Sequence, residues 1–161
     1  MTKTLEEVPF DLSGKALDTT LGALQGWLPP LIGVALRLKQ AHWNLHGLRF
    51  KSVHEQLDEI LADVRAAVDD VAERIVTLGG AADGLPATVA EHAVFDTFPA
   101  GRLGVENAIE IVCDDLARVV QHGRKAIEKL GGQDPISEDL AIGIVGALEK
   151  HHWMLRSQRE L

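Results

Sequence analysis

Tyrosine is missing from this 161-residue chain, and cysteine occurs once, at Cys113. A single thiol closes no internal disulfide. Without a CxxC pair or a Cys/His cluster there is no zinc-finger framework either, so a reducing, cytoplasmic location is expected. Basic residues are the minority: 16 Lys and Arg face 24 Asp and Glu, a formal net charge of −8 with the seven His neutral. Phosphate binding draws its strength from clustered cations, so this balance argues against a general polyanion binder. The first residues, MTKTLEEVPFDLSGK, carry Glu6, Glu7 and Asp11 where an export signal needs an apolar run, and none is expected. Alternating runs bounded by turn pairs are absent too, which argues against β-rich folds. The composition, 46% apolar and 25% charged, is that of a packed globular protein rather than a disordered one.

What is present is helical. Leu17, Leu21, Leu24, Leu28, Leu31, Ala35 and Leu38 recur at spacings of three and four and predict a first helix from about Ala16 to about Leu45. Within it, Thr19 to Leu36 has no charge for 18 residues. That is just long enough to span a bilayer, but the run holds Thr19, Thr20, Gln25, three glycines and Pro29-Pro30. A helix buried within or between subunits is expected, with no membrane partner. The proline pair removes two donors and predicts a kink. A second helix is expected from about Ser52 to about Leu78, opened by a Ser52–Glu55 capping box and closed by Gly79-Gly80. A third runs from about Arg102 to about Leu130, before Gly131-Gly132. A fourth follows Asp134-Pro135, an N-cap with proline at N1, and reaches about Ser157. The connection from Gly79 to Gly101 is too long for a hairpin and should hold a short helix from about Pro86 to about Val94. Residues 1–16 then form an N-terminal tail and 17–161 one all-α domain. Its expected fold is a ferritin-like four-helix bundle with a short extra helix in the long connection between helices two and three.

The second helix carries a constellation of possible ligands. His54, Asp58, Asp69 and Glu73 are separated by 4, 11 and 4 residues. At about 100° per residue they project at about 0°, 40°, 60° and 100°, all within one quarter-turn face. Four such side chains on a helix that must pack are costly to bury unpaired. Asp58 and Asp69 stand about 16 Å apart along the axis, so they cannot hold one metal from the same helix. Two copies packed antiparallel across a two-fold axis would bring the His54/Asp58 end of one against the Asp69/Glu73 end of the other, forming the site twice per dimer. His42, near the end of the first helix, can complete the set. Imidazole with carboxylates suits iron, manganese or zinc, and two or more carboxylates favour iron able to cycle between ferrous and ferric. A di-iron centre inside one bundle takes Glu from two helices and Glu-x-x-His from the other two. The first helix has no Glu and Glu149-x-x-His152 stands alone, so that arrangement is not expected and the pair reads as an ordinary surface feature.

The segment LKQAHWNLHGLRFKSVHEQLDEILADVRAAVDDVAERIVTLGG, Leu38 to Gly80, resembles the Dps family, the miniferritins. The likeness lies in HWN, Gly47, Phe50, His54-Glu55, Asp58, Asp69 and Ala72-Glu73-Arg74. RKAIEKL at Arg124 to Leu130 and LEKHHWMLRS at Leu148 to Ser157 are similar to the family's third and fourth helices, so it covers nearly everything beyond about residue 16. The resemblance implies a hollow dodecameric cage, a homo-oligomer with a two-iron ferroxidase centre at each two-fold interface. It sets His42, His54 and Asp58 of one subunit against Asp69 and Glu73 of its partner, with zinc an alternative occupant at rest. Similar proteins oxidise Fe(II), preferring hydrogen peroxide to oxygen, and store the ferric product as a mineral, which protects against oxidative damage. Trp43 matches a family tryptophan that serves as an electron donor near the centre; core packing is the competing reading. Asp134, Glu138 and Asp139 match acids that line a three-fold iron-entry pore, where carboxylate rings concentrate cations. Their plainer roles are N-capping and helix-dipole compensation. Glu55, Glu59 and Asp63 are candidates to face the cavity and nucleate mineral.

Two features depart from the family pattern. Several members bind DNA through a lysine-rich tail, whereas this N-terminal segment is net acidic and the C-terminus stops soon after the fourth helix. Arg37, Lys39, Arg49 and Lys51 form an acid-free cationic stretch, but it ends beside the expected metal site. DNA binding is therefore expected to be weak or absent at physiological salt. The second departure is Pro29-Pro30. His46, His92, His122, His151 and His152 have no ligand set and read as surface or capping groups. Cys113 reads as a packed small residue. The leading expectation is a peroxide-dependent ferroxidase and iron store. The alternatives are a DNA-compacting structural protein with a secondary metal site and an inactive helical scaffold.

Overall fold

The computed structural model describes residues 9, 10 and 12–159. Most of the expected N-terminal tail, with Glu6, Glu7 and Asp11, and Glu160 at the other end lie outside the described residues. Four long helices form: α1 (Gly14–Asn44), α2 (Phe50–Thr77), α4 (Val105–Leu130) and α5 (Pro135–Arg156). The connection between α2 and α4 carries the short α3 (Pro86–Glu91), which ends before the expected Val94.

The expectation of no strand pairing needs a small correction. β1 (Leu45–His46) pairs in parallel with β2 (Leu103–Gly104), joining the end of α1 to the start of α4. Two residues on each side are too few to leave an alternating signature in sequence. The pairing still fixes the topology. Since β1 leads directly into α2 and β2 directly into α4, these two helices start from the same end of the bundle. The chain leaving α2 must therefore travel its length, about 40 Å, before α4 begins. That crossover is the ferritin-like arrangement rather than an up-and-down bundle.

The helix ends follow local chemistry, with one exception. α2 closes in a Schellman motif: Gly80 N–H donates to Ile75 O at 3.0 Å and Gly79 N–H to Val76 O at 2.9 Å, with Gly79 at φ 77°. Asp134 caps α5 by accepting from Ser137 N–H, with Pro135 behind it, as the sequence predicts. The Ser52–Glu55 capping box does not form. α2 starts two residues earlier, with Arg49 at the N-cap in the left-handed region (φ 64°), and Ser52 Oγ instead donates to Arg49 O at 3.0 Å. Arg49 is held there by its guanidinium, which reaches Gln158 O and Glu106.

α1 passes through Pro29-Pro30 as one element, with both prolines buried. Leu24, Trp27, Leu28 and Leu31 are all buried on either side, and Trp27 Nε1 donates to Val119 O of α4 at 3.0 Å. This packing offsets the donors the prolines lack. α1 is long and apolar enough to cross a membrane, yet 61% of its most apolar window is buried inside the bundle, where it lies against α2 and α4. Trp27 comes so close to α4 that a Cβ on Gly123 would stand 2.5 Å from its ring.

Candidate metal centre

The turn between α1 and α2 folds the ends of both helices onto each other. His42, in the last turn of α1, and His54, in the second turn of α2, stack with ring centroids 3.7 Å apart and planes 20° apart. His42 Nδ1 lies 3.1 Å from His54 O, and His54 Nδ1 lies 3.1 Å from His42 O. A carbonyl only accepts, so each Nδ1 is the protonated nitrogen and each neutral ring keeps its lone pair on Nε2. A histidine that binds metal through Nε2 needs that tautomer, with a carbonyl accepting from Nδ1 to hold the ring. Phe50 packs against His54 with centroids 4.9 Å apart.

Asp58 lies one turn beyond His54, its Oδ1 3.4 Å from His42 Nδ1. The same oxygen accepts from Lys39 Nζ at 2.6 Å. That hydrogen bond, working against slight desolvation and aided by the nearby imidazoles, holds the Asp58 carboxyl below its ordinary range. Lys39 is the contact the sequence reading missed. Its signal was the i, i+3 spacing to His42 on one face of α1.

Asp69 and Glu73 lie further along α2, both exposed. They make no approach to His42, His54 and Asp58, since α2 itself keeps Asp58 and Asp69 about 16 Å apart. Among the described residues, no three His, Cys, Asp or Glu side chains of the single chain close around one point. The five candidate ligands therefore sit in two groups, His42 at the end of α1 with His54 and Asp58 on α2, and Asp69 with Glu73 further along α2. Trp43, beside His42, is 69% exposed in the single chain and takes no part in its core.

The other acidic candidates separate clearly. Asp134 is only 7% exposed, and its carboxylate accepts from Arg74 Nη2 at 2.7 Å and from Ser137. Burial pushes its pKa up, but the Arg74 and Ser137 hydrogen bonds outweigh it and leave the group below its ordinary value. This carboxylate is thus engaged within the chain, whereas Glu138 is half-buried and Asp139 exposed. Glu55, Glu59 and Asp63 are all exposed on α2; Glu55 pairs with Lys51 at 3.7 Å, and Asp63 meets His151 Nε2 at 2.6 Å. Glu149 is tied to Arg124 at 2.5 Å, which makes it an ion-pair partner. Cys113 is buried, and burial raises its thiol pKa.

Residues 31–161 match the ferritin-like domain family, Ferritin. The chain is 36% identical over 152 residues to the DNA protection during starvation protein of Mycolicibacterium smegmatis, covering 92% of this chain and 81% of that one. This chain belongs to the Dps family of ferritin-like proteins. Over 135 residues it is also 38% identical to the fine tangled pili major subunit of Haemophilus ducreyi, covering 84% and 71% of the two chains. Its fold superposes on DpsA14 from Streptomyces coelicolor with a TM-score of 0.92 at 34% identity, covering 100% of this chain and 96% of that one. The Dps family is one of iron-storing miniferritins that assemble from identical subunits into cages.

Proposed function

We propose that this chain is a cytoplasmic ferroxidase and iron-storage miniferritin. It would oxidise Fe(II), preferentially with hydrogen peroxide, and mineralise Fe(III) inside a hollow dodecameric cage, protecting against oxidative damage. The observation that carries the reading is the His42/His54/Asp58 corner, its imidazoles held in the tautomer that leaves Nε2 free. Asp69 and Glu73 of a second subunit complete the set when two α2 helices run antiparallel across a two-fold axis. Imidazole nitrogen with several carboxylate oxygens suits iron, and zinc is the alternative occupant at rest.

Iron is the substrate here. Two Fe(II) each give one electron to one hydrogen peroxide, whose O–O bond breaks; with two protons the products are two Fe(III) and two waters. Pairing the electrons avoids the one-electron cleavage that releases hydroxyl radical. To Trp43, exposed beside His42, we assign the donation of an electron to a radical that escapes. We assign iron entry to carboxylates at the start of α5, Glu138 and Asp139 rather than the engaged Asp134. Glu55, Glu59 and Asp63 are assigned to mineral nucleation.

The alternative, a DNA-compacting protein with a secondary metal site, draws support from the Mycolicibacterium smegmatis relative, a DNA protection during starvation protein. Against it stands the state of the cations. Arg37 binds Asp115, Lys39 binds Asp58, Arg49 binds Glu106 and Lys51 binds Glu55. The test of the leading reading is anaerobic Fe(II) oxidation by limiting peroxide, followed as ferric absorbance. Rapid oxidation of about two irons per peroxide, lost in Asp58→Ala, is the expected outcome. A rate equal to that of buffer would overturn it.

A further inference from the structure

We propose that the open cleft between α2 and α5 binds a linear polyamine, its ammonium groups on the carboxylates of Glu55 and Glu59 and its methylenes against Trp153 and Met154. No residue of the metal centre lines this hollow, so the proposal stands or falls apart from the ferroxidase reading.

α2 packs mainly on α1 and α5 mainly on α4, which leaves a cleft between α2 and α5. Towards the end of α5 it opens into a hollow of about 460 Å³. The α2 wall presents Glu55 and Glu59, both exposed, one helical turn and about 6 Å apart. The α5 wall presents Trp153, 57% exposed, and Met154, 38% exposed. Gln158 Nε2 donates to Gln56 Oε1 and ties the two walls together. Glu55 has only a long ion pair, with the exposed Lys51 at 3.7 Å, and Glu59 has none among the described residues.

Two unlike walls narrow the occupant. An inorganic divalent cation would use the carboxylates but gains nothing from an indole face and a thioether. Among the described residues, no three His, Cys, Asp or Glu side chains converge to cage such an ion. An anion or a nucleic acid is repelled by the acidic wall. An alkylammonium uses both walls, placing its charge on the carboxylates and the indole face and its methylenes on the apolar side. Exposed ion pairs are weak singly, so the aromatic wall supplies the selectivity. The row of acids favours a linear ligand: Asp63 stands one further turn along α2, where it meets His151 Nε2 at 2.6 Å. Carboxylates thus repeat about every 6 Å along the cleft, a match to amines separated by short methylene spacers.

The test titrates spermidine calorimetrically into the assembled, iron-free protein at fixed pH and salt, with Mg(II) as the inorganic comparison. Wild type is expected to bind spermidine about tenfold more tightly than Mg(II). Trp153→Leu and Glu59→Gln should each weaken spermidine about tenfold, and Trp153→Phe should keep most of the affinity. Met154→Lys puts an ammonium of the chain's own into the hollow and should abolish binding. Glu91→Gln, the same loss of charge on α3, should stay within about twofold of wild type. Helical content and assembly mass are measured for every variant, and Met154→Lys keeps the test open if Trp153→Leu fails to assemble. Equal weakening in Glu59→Gln and Glu91→Gln, with none in Trp153→Leu or Met154→Lys, would reduce the binding to counterions on an acidic surface and overturn the proposal. Equal affinity of wild type for spermidine and Mg(II) would overturn it as well.

Discussion

His42 and His54 clasp one another: each Nδ1–H donates to the other's main-chain carbonyl at 3.1 Å, and the rings stack at 3.7 Å. The clasp ties the end of α1 to the start of α2 and fixes which nitrogen of each ring carries a lone pair.

Removing one side of the clasp should be felt twice. In His54→Ala the His42 carbonyl loses its donor and His42 its stacking partner, so stability should fall by about 1 kcal/mol. Urea denaturation reads this directly. Zn(II) affinity should fall on the same sample, because the site loses the His54 imidazole and His42 loses its stacking partner while keeping its bond to the main-chain carbonyl of residue 54. Unchanged stability would show that the clasp contributes nothing to the fold, and unchanged affinity would contradict His54 as a ligand.

Asp134 predicts a pH signature. Its folded-state pKa lies below the ordinary 3.8, so its contribution is complete above that value and is lost as pH falls through the folded-state pKa. Asp134→Asn should therefore cost about 2 kcal/mol at neutral pH, the worth of its charged hydrogen bonds to Arg74 and Ser137. The gap between variant and wild type should close below pH 3.8, as followed by thermal unfolding across an acid series. A gap that stays constant to the lowest pH would assign the loss to the N-cap alone.

Arg37, Lys39 and Arg49 are engaged by Asp115, Asp58 and Glu106, which leaves Lys51, exposed and only 3.7 Å from Glu55, as the freest cation of this stretch. In a gel shift, duplex DNA should remain free at physiological salt, and any retardation at low salt should vanish as salt rises. A shift that persists at physiological salt would favour the DNA-compacting reading.

Much of this was legible in the sequence, for reasons that differ along the chain. The leucine series of α1, the Gly79-Gly80 stop and the Asp134-Pro135 start act locally, and each lies where its chemistry demands. The start of α2 was read two residues late because Ser52 and Glu55 match a capping box. The true N-cap is Arg49, held in the left-handed region by Glu106 and Gln158, contacts that no local pattern encodes. The β1–β2 pairing joins segments nearly 60 residues apart and is equally silent in sequence. For the centre, helix periodicity put His54, Asp58, Asp69 and Glu73 on one face. It gave no sign of the His42–His54 clasp, since a hydrogen bond to a main-chain carbonyl depends on the turn between the helices. Asp134 shows the opposite limit: its type and position fit a pore, while Arg74, 60 residues earlier in the chain, occupies its carboxylate.

The central claim is that each centre takes His42, His54 and Asp58 from one subunit and Asp69 and Glu73 from another. The most direct test mixes two inactive variants. Subunits carrying Asp58→Asn and subunits carrying Glu73→Gln are assembled separately, then together in equal amounts, and assayed for peroxide-dependent Fe(II) oxidation. Each homogeneous assembly should run at background. Random pairing gives an intact centre wherever a Glu73→Gln subunit supplies Asp58 and an Asp58→Asn subunit supplies Glu73, so the mixture should recover about a quarter of the wild-type rate. A mixture that remains at background while still assembling would contradict the shared centre.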